Sequence, residues 1–333
     1  MLLFEGKLYR QVYSDENLTE AWHHIRQGSD AAGSDGITIA QFQRHLFSRM
    51  KALQQQLAER RYHPQPIRRF FVPKANGDQR PVGILTVQDR IVQRAVLQVI
   101  EPLFEADFEE CSFGYRPGRS PQMAIERLVE RTQRGLTWVV DLDIRSFFDR
   151  VNVSLLESFI FKKLLDRELR RLIHSWLDAQ VLTVERAGWL RRLKRRGILQ
   201  GGILSPLFAN IYLDQFDKMA IKRGLKHIRY ADDILLLCPT QSLAHKALKA
   251  AERLLAKLDL ELNPAKTEIV NATEGLRFLG QSVLLSKWTT QNTLPEGAPD
   301  SDAEEREEPE ELDQDLEDEY GHIVYPRAGN DPR

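Results

Sequence analysis

Two spacings of apolar residues alternate along the chain. Over 15–30 and 39–61 they recur every three or four positions, predicting two amphipathic helices, the second ending at Tyr62-His63-Pro64. Gly33-Ser34-Asp35-Gly36 between them reads as a turn. Residues 67–87 read as a β-hairpin, two apolar runs about Asn76-Gly77-Asp78, since Asn-Gly supplies the positive φ a tight hairpin needs. Ile91, Val92, Ala95, Val96 and Val99 then stripe one face of a helix from Asp89 to about Phe104.

A glycine- and arginine-rich loop, Ser112 to Ser120, leads into a helix over 121–134. Residues 137–144 predict a buried strand carrying two acids, Asp141 and Asp143. Helices fill 154–180 and 205–220, separated by a basic run and a bend at 197–202. His227 to Cys238 reads as two short strands about a turn at Ala231-Asp232-Asp233. A helix over 241–258 follows, then a strand pair between Leu260 and Val270 broken by Pro264. There is no internal repeat, and hairpins under many helices argue an α+β fold.

The near-neutral total of 47 Lys+Arg and 48 Asp+Glu hides a split. Residues 291–333 hold 15 acids and three bases, leaving 1–290 with a net charge of +11. A basic body implies a polyanionic partner, most often nucleic acid. Six cations lie within 186–196: Arg186, Arg191, Arg192, Lys194, Arg195 and Arg196. With Trp189 among them they read as a salt-sensitive nucleic-acid contact. No apolar run approaches the roughly 20 residues of a membrane span, and no signal peptide is evident, so no membrane partner and a cytoplasmic location are expected. Cys111 and Cys238 alone cannot build a disulfide framework or a structural zinc site.

Charge also appears where packing would not want it. Asp141 and Asp143 share one side of an apolar strand, and Asp232-Asp233 tip a hairpin with apolar arms. Unpaired buried carboxylates cost several kcal/mol, so their convergence points to a divalent cation.

These residues carry a family resemblance. Tyr230-Ala231-Asp232-Asp233, preceded by Asp143-Ile144-Arg145-Ser146-Phe147-Phe148-Asp149, resembles the paired catalytic motifs of reverse transcriptases. Gln200 to Asn210 resembles the family's nucleotide-pocket motif. Ser34 to Thr38, Arg80 to Ile84 with Asp89-Arg90, Phe113 to Ser120 and Asn263 to Thr267 resemble the group II intron-like branch in order, across about residues 30–285.

The resemblance implies a right-hand polymerase with an antiparallel palm sheet backed by helices. An N-terminal extension and fingers would occupy 1–135, the palm 136–288, and an acidic linker or tail 289–333. Asp143, Asp232 and Asp233 would bind two Mg²⁺, with Mn²⁺ able to substitute. Asp141 would support them or cap a helix. Lys266 would protonate pyrophosphate or simply contact phosphate. Lys74 and Arg80 would grip the triphosphate, and Gln200 would lie against the nucleotide. The Phe148 ring would exclude a 2′-hydroxyl, selecting dNTPs. Arg116 and Arg119 would contact template phosphates, and Gly280 would serve the primer grip. One position departs: Leu199 precedes Gln200 where the family usually carries proline, which removes a rigid ring from the loop.

The implied activity is RNA-directed DNA synthesis on an RNA template from a DNA or RNA primer. The acidic sequence after Trp288 cannot pack the family's helical thumb. That likens the chain to enzymes of CRISPR spacer acquisition, with the tail joining an integrase or another thumb-supplying domain. Two other readings remain: a maturase-like RNA-binding splicing cofactor, and a template-independent or self-primed defence polymerase.

Overall fold

The computed structural model describes residues 6–28, 31–73, 79–184, 190–193 and 197–283. The N-terminal part is helical: α1 (Lys7–Val12), α2 (Asp15–Arg26), α3 (Ile39–Gln43) and α4 (Leu46–Ala58). The helix expected over 39–61 is thus two, broken at Arg44-His45. A reciprocal capping box opens α3: Gln41 N donates to Thr38 Oγ1 (3.1 Å) and Thr38 N to Gln41 Oε1 (2.9 Å). The hairpin follows as β1 (Ile67–Pro73) and β2 (Gln79–Ile84), leading to the 19-residue α5 (Val87–Glu105), whose apolar stripe is buried. Tyr62 donates to Asp89 Oδ1 (2.5 Å) and accepts from Trp176 Nε1 (3.3 Å), tying the turn before β1 to two helices.

Next come α6 (Pro121–Gln133), β3 (Trp138–Asp143), α7 (Phe147–Arg150), α8 (Val153–Lys163) and α9 (Arg167–Leu177). They are followed by β4 (Val181–Val184), β5 (Leu190–Leu193), α10 (Ser205–Ile221), β6 (His227–Tyr230), β7 (Asp233–Cys238), α11 (Gln241–Ala256) and β8 (Glu268–Asn271). A short hairpin, β9 (Leu276–Phe278) and β10 (Gln281–Val283), ends the described chain.

The palm sheet has the order β6-β7-β3-β8, with every neighbouring pair antiparallel. Strand alternation gives it two buried faces. Val140, Leu142, Ile234 and Leu236 join the core that contains α10 and α11. Val139, Leu235, Leu237 and Ile228 pack with α6 and the β9–β10 hairpin. Asp141, Asp143 and Asp233 share the parity of this second set, at the end where its apolar cover stops.

The other sheet holds a feature the apolar pattern does not announce. Its order is β2-β1-β4-β5, with β4 parallel to β1 and β5 returning antiparallel. Part of the basic run is therefore strand, and a sheet expected to be one hairpin has four strands. Strands β4 and β5 join it from within the 136–288 stretch. Among the described residues, no helix is long and apolar enough to cross a membrane. The acidic stretch 289–333, expected as a linker or an integrase-docking segment, lies outside the described residues.

Thr86 caps α5, its Oγ1 accepting from Asp89 N at 3.0 Å in a fully buried setting. Thr86→Ala is expected to lower unfolding stability by about 1–2 kcal/mol, read by denaturant titration.

Candidate active site

One register builds the acid-bearing end of the palm sheet. Across β3 and β7, Leu142 faces Ile234 and Asp143 faces Asp233. Tyr230 pairs directly with Asp233, so Ala231-Asp232 is a two-residue turn. Ala231 adopts φ 57°, a left-handed conformation that costs a non-glycine residue roughly 1–2 kcal/mol. The three predicted acids thus come together at one sheet end, two on paired strands and one in the turn between β6 and β7. Beside them, Lys266 Nζ lies 3.9 Å from Asp143 Oδ1. The Asn263–Thr267 segment is strapped to β3: Asn263 N donates to the Asp143 carbonyl (2.8 Å), and Asp143 N donates to Thr267 Oγ1 (3.3 Å).

The electrostatics is that of crowded, partly buried carboxyls. Partial withdrawal from water, then Asp232, Asp141 and Asp143, push the Asp233 carboxyl up to about 6. Burial, then Glu268 and Asp143, push Asp141 to about 6 as well. Glu268 faces Asp141 across β3–β8, and both line a cavity of about 500 Å³ beneath the β9–β10 hairpin. Clustered carboxylate oxygens are hard donors, the set that suits Mg²⁺ or Mn²⁺ rather than a softer metal.

The loop predicted to meet the nucleotide is bound to β2 through its backbone. Gly83 N donates to the Gln200 carbonyl (2.8 Å). Gly201, at φ 91°, lies so close that a Cβ there would sit 3.0 Å from the Gly83 carbonyl oxygen. Ile198 N donates to the Phe148 carbonyl (2.8 Å), so the predicted gate residue abuts this loop, its buried ring edge-on to Phe147. Leu199, where proline was expected, anchors the loop by burial with Ile67, Leu85 and Val181. Its side chain occupies the space over Gly83, where a Cβ would clash at 2.1 Å. Arg80 lies on β2 opposite Val72, but its side chain and all of Lys74 fall outside the described residues.

Among the expected nucleic-acid contacts, Arg116 is corrected. It is buried, bound through its guanidinium to Glu105 and to the carbonyls of Phe108, Glu109 and Ser112. With Nε and both terminal nitrogens so engaged it braces the glycine loop and has no face for a template phosphate. Arg119 pairs with Glu110 (2.7 Å) and stacks over Phe113. Gly280 forms, with Leu279, the two-residue turn of β9–β10, both at positive φ. Arg191 and Arg192 lie on β5, their side chains outside the described residues, as are Lys194, Arg195 and Arg196 entirely.

A buried polar group behind the site escaped the sequence reading. Cys111, Asp217 and His227 each place one potential ligand atom within 4.8 Å of the others. Asp217 is also bound by Arg229 through both oxygens (2.9 Å each from Nε), so the guanidinium already supplies the positive charge a metal would bring. The three predicted metal-binding aspartates are not drawn into so tight a set. The missed signal was Asn210, Asp214 and Asp217, polar positions spaced i, i+4, i+7 among the apolar residues that α10 buries.

This geometry is accompanied by a direct family match. Residues 72–283 match the model of the reverse transcriptase (RNA-dependent DNA polymerase) family, and the chain belongs to that family of RNA-directed DNA polymerases. It is 32% identical to Protein YkfC of Escherichia coli (strain K12), covering 84% of this chain and 83% of that protein. It is also 32% identical to the group II intron-encoded protein LtrA of Lactococcus lactis subsp. cremoris, over 77% of this chain but only 41% of that protein. A chain of the partial Cas6-RT-Cas1–Cas2 complex is similar at 28% identity and a TM-score of 0.45, covering 74% of this chain and 40% of that one.

Burial of the Asp233 carboxyl, and then repulsion from its neighbours, set a pH dependence. The folded protein holds the Asp233 proton up to about 6 against an ordinary 3.8, so stability is lost as pH rises through that interval. In chelator, Asp233→Asn is expected to melt above the parent protein at pH 7.5, with the gap closing toward pH 4. Equal melting temperatures at both pH values would show that the folded protein does not disfavour the charged Asp233 carboxylate.

Proposed function

We propose that this protein synthesises DNA on an RNA template, adding deoxynucleotides to a primer 3′-hydroxyl with two Mg²⁺ held by Asp143, Asp232 and Asp233. Mn²⁺ would fit the same oxygen donors. The observation that carries the reading is Asp143 opposite Asp233 across β3–β7, with Asp232 in the adjoining turn. Divalent cations held by these aspartates would supply charge stabilisation for the attacking hydroxyl and the departing pyrophosphate.

The remaining roles fall to the chain's own groups. The Lys266 ammonium, 3.9 Å from an Asp143 oxygen, can donate a proton or a charge to a phosphate leaving that site. Gln200, fixed to β2 by its carbonyl, presents the loop to the nucleotide, with Lys74 and Arg80 for the triphosphate. Phe148 excludes a 2′-hydroxyl by bulk. Gly280 lets backbone approach the primer. The basic body, including Arg119 and the 191–196 run, attracts the template–primer duplex. Similarity to a group II intron-encoded protein supports this branch of the family.

Primer extension on an RNA template tests the reading. The parent protein is expected to extend with dNTPs and Mg²⁺, and Asp232→Asn to fall by about 10³-fold or more, the scale on which a core catalytic group acts. Folded parent protein that extends no primer with any nucleotide set would overturn it. Phe148→Ala is expected to narrow the preference for dNTPs over NTPs by about tenfold or more, read as a ratio of kcat/KM values.

A further inference from the structure

The turn that carries Asp232 is held from behind by a buried guanidinium. Arg229, on β6, is fully buried, as is Asp217 on α10. Arg229 Nε donates to both Asp217 oxygens at 2.9 Å, and Nη2 donates to one of them. The remaining nitrogen, Nη1, reaches past the pair to Asn210 Oδ1 (2.9 Å) and the Ala231 carbonyl (3.1 Å). That carbonyl belongs to the peptide joining left-handed Ala231 to Asp232. Asn210 is fixed in turn, donating through Nδ2 to the Gly114 carbonyl (2.8 Å). Gly114 lies against the same turn, where a Cβ would meet Ala231 N at 2.3 Å.

We propose that Arg229, aimed by Asp217 and Asn210, is a positioning residue that fixes the Ala231–Asp232 peptide and so pre-sets the Asp232 and Asp233 carboxylates for divalent cations. This rests on the reading of those aspartates as cation ligands.

Three observations separate this from an ordinary core ion pair. Buried ion pairs add little net stability over apolar packing, so stability alone does not account for one here. The pair does not exhaust the guanidinium, whose third nitrogen goes to the catalytic turn. That turn has an unfavourable φ that an outside contact must maintain. Burial works against charge on Asp217, yet Arg229 and the hydrogen bonds from His227 and Arg229 hold its carboxyl at about 2, so the anion that aims the guanidinium persists at working pH. His227 Nε2, 3.0 Å from Asp217 Oδ1, and Cys111 Sγ, 3.2 Å from that nitrogen, close the remaining side.

Arg229→Lys keeps the charge but loses the planar fork, so one ammonium cannot serve Asp217, Asn210 and the Ala231 carbonyl together. The full-length protein would be titrated with Mn²⁺, without nucleic acid, by electron paramagnetic resonance, alongside melting in chelator. Arg229→Lys is expected to bind Mn²⁺ about tenfold more weakly, the usual effect of losing a group behind a metal ligand. Its primer extension should need correspondingly more Mg²⁺ while KM for dNTP at saturating Mg²⁺ changes little. Asn210→Ala, which leaves the ion pair whole, should shift Mn²⁺ affinity the same way by about threefold, and it decides the matter if Arg229→Lys does not fold. Folded variants with parental Mn²⁺ affinity and Mg²⁺ dependence would overturn the proposal. Asp232→Asn is the control: undiminished Mn²⁺ binding by that variant would remove the ligand assignment itself, a failure distinct from that of Arg229.

Discussion

The pairing of β3 with β7 sets where the acids of the candidate site lie, and it must do so against repulsion. Asp143 facing Asp233 puts two anions at one rung of an antiparallel ladder. Two charges about 4 Å apart repel by roughly 1 kcal/mol in water and about 4 at a partly buried site. The rungs behind them carry Val139 with Leu237, Val140 with Leu236, and Leu142 with Ile234, all buried. Each such side chain contributes roughly 1.5–3 kcal/mol, so the apolar rungs outweigh the charged one. A slip of one residue would turn the acids toward α10 and α11 and expose Leu142 to the cleft. Because both faces are covered, that slip is penalised twice. The carboxylates therefore stay where their own interactions would not keep them.

What could be read from the chain, and what could not, follows from the range of the interactions involved. The strand over 138–143 and the hairpin at Tyr230–Asp233 were legible because alternation and turn chemistry are local. The helices at 87–105, 121–133, 205–221 and 241–256 were legible for the same reason. Strand β4 was not: Val181-Leu182-Thr183-Val184 is four residues long and finds its parallel partner more than a hundred positions earlier. Arg116 misled because a Gly/Arg-rich loop reads as a phosphate contact, whereas its partner, Glu105, lies on the preceding helix. Leu199 looked like a loss of rigidity, yet burial over Gly83 anchors the loop by another means. Arg229 is the same case in reverse. It stands beside the most recognisable motif in the chain, but its meaning depends on Asp217 and Asn210 twelve and nineteen residues away.

The parallel contact between β1 and β4 also has a kinetic meaning. Ile67 pairs with Val181, and the palm strand β3 lies between them in sequence. As the chain emerges from the ribosome, the β1–β2 hairpin stands with an open edge until residues 181–184 appear. Closing that loop spans the first palm strand, β3, whose own partners β7 and β8 come later still. Long closures of this kind slow folding and leave strand edges exposed while they wait. A cut ahead of β3 would leave the β1–β2 hairpin without β4 and β5, and a cut after β5 would leave β3 without β7 and β8.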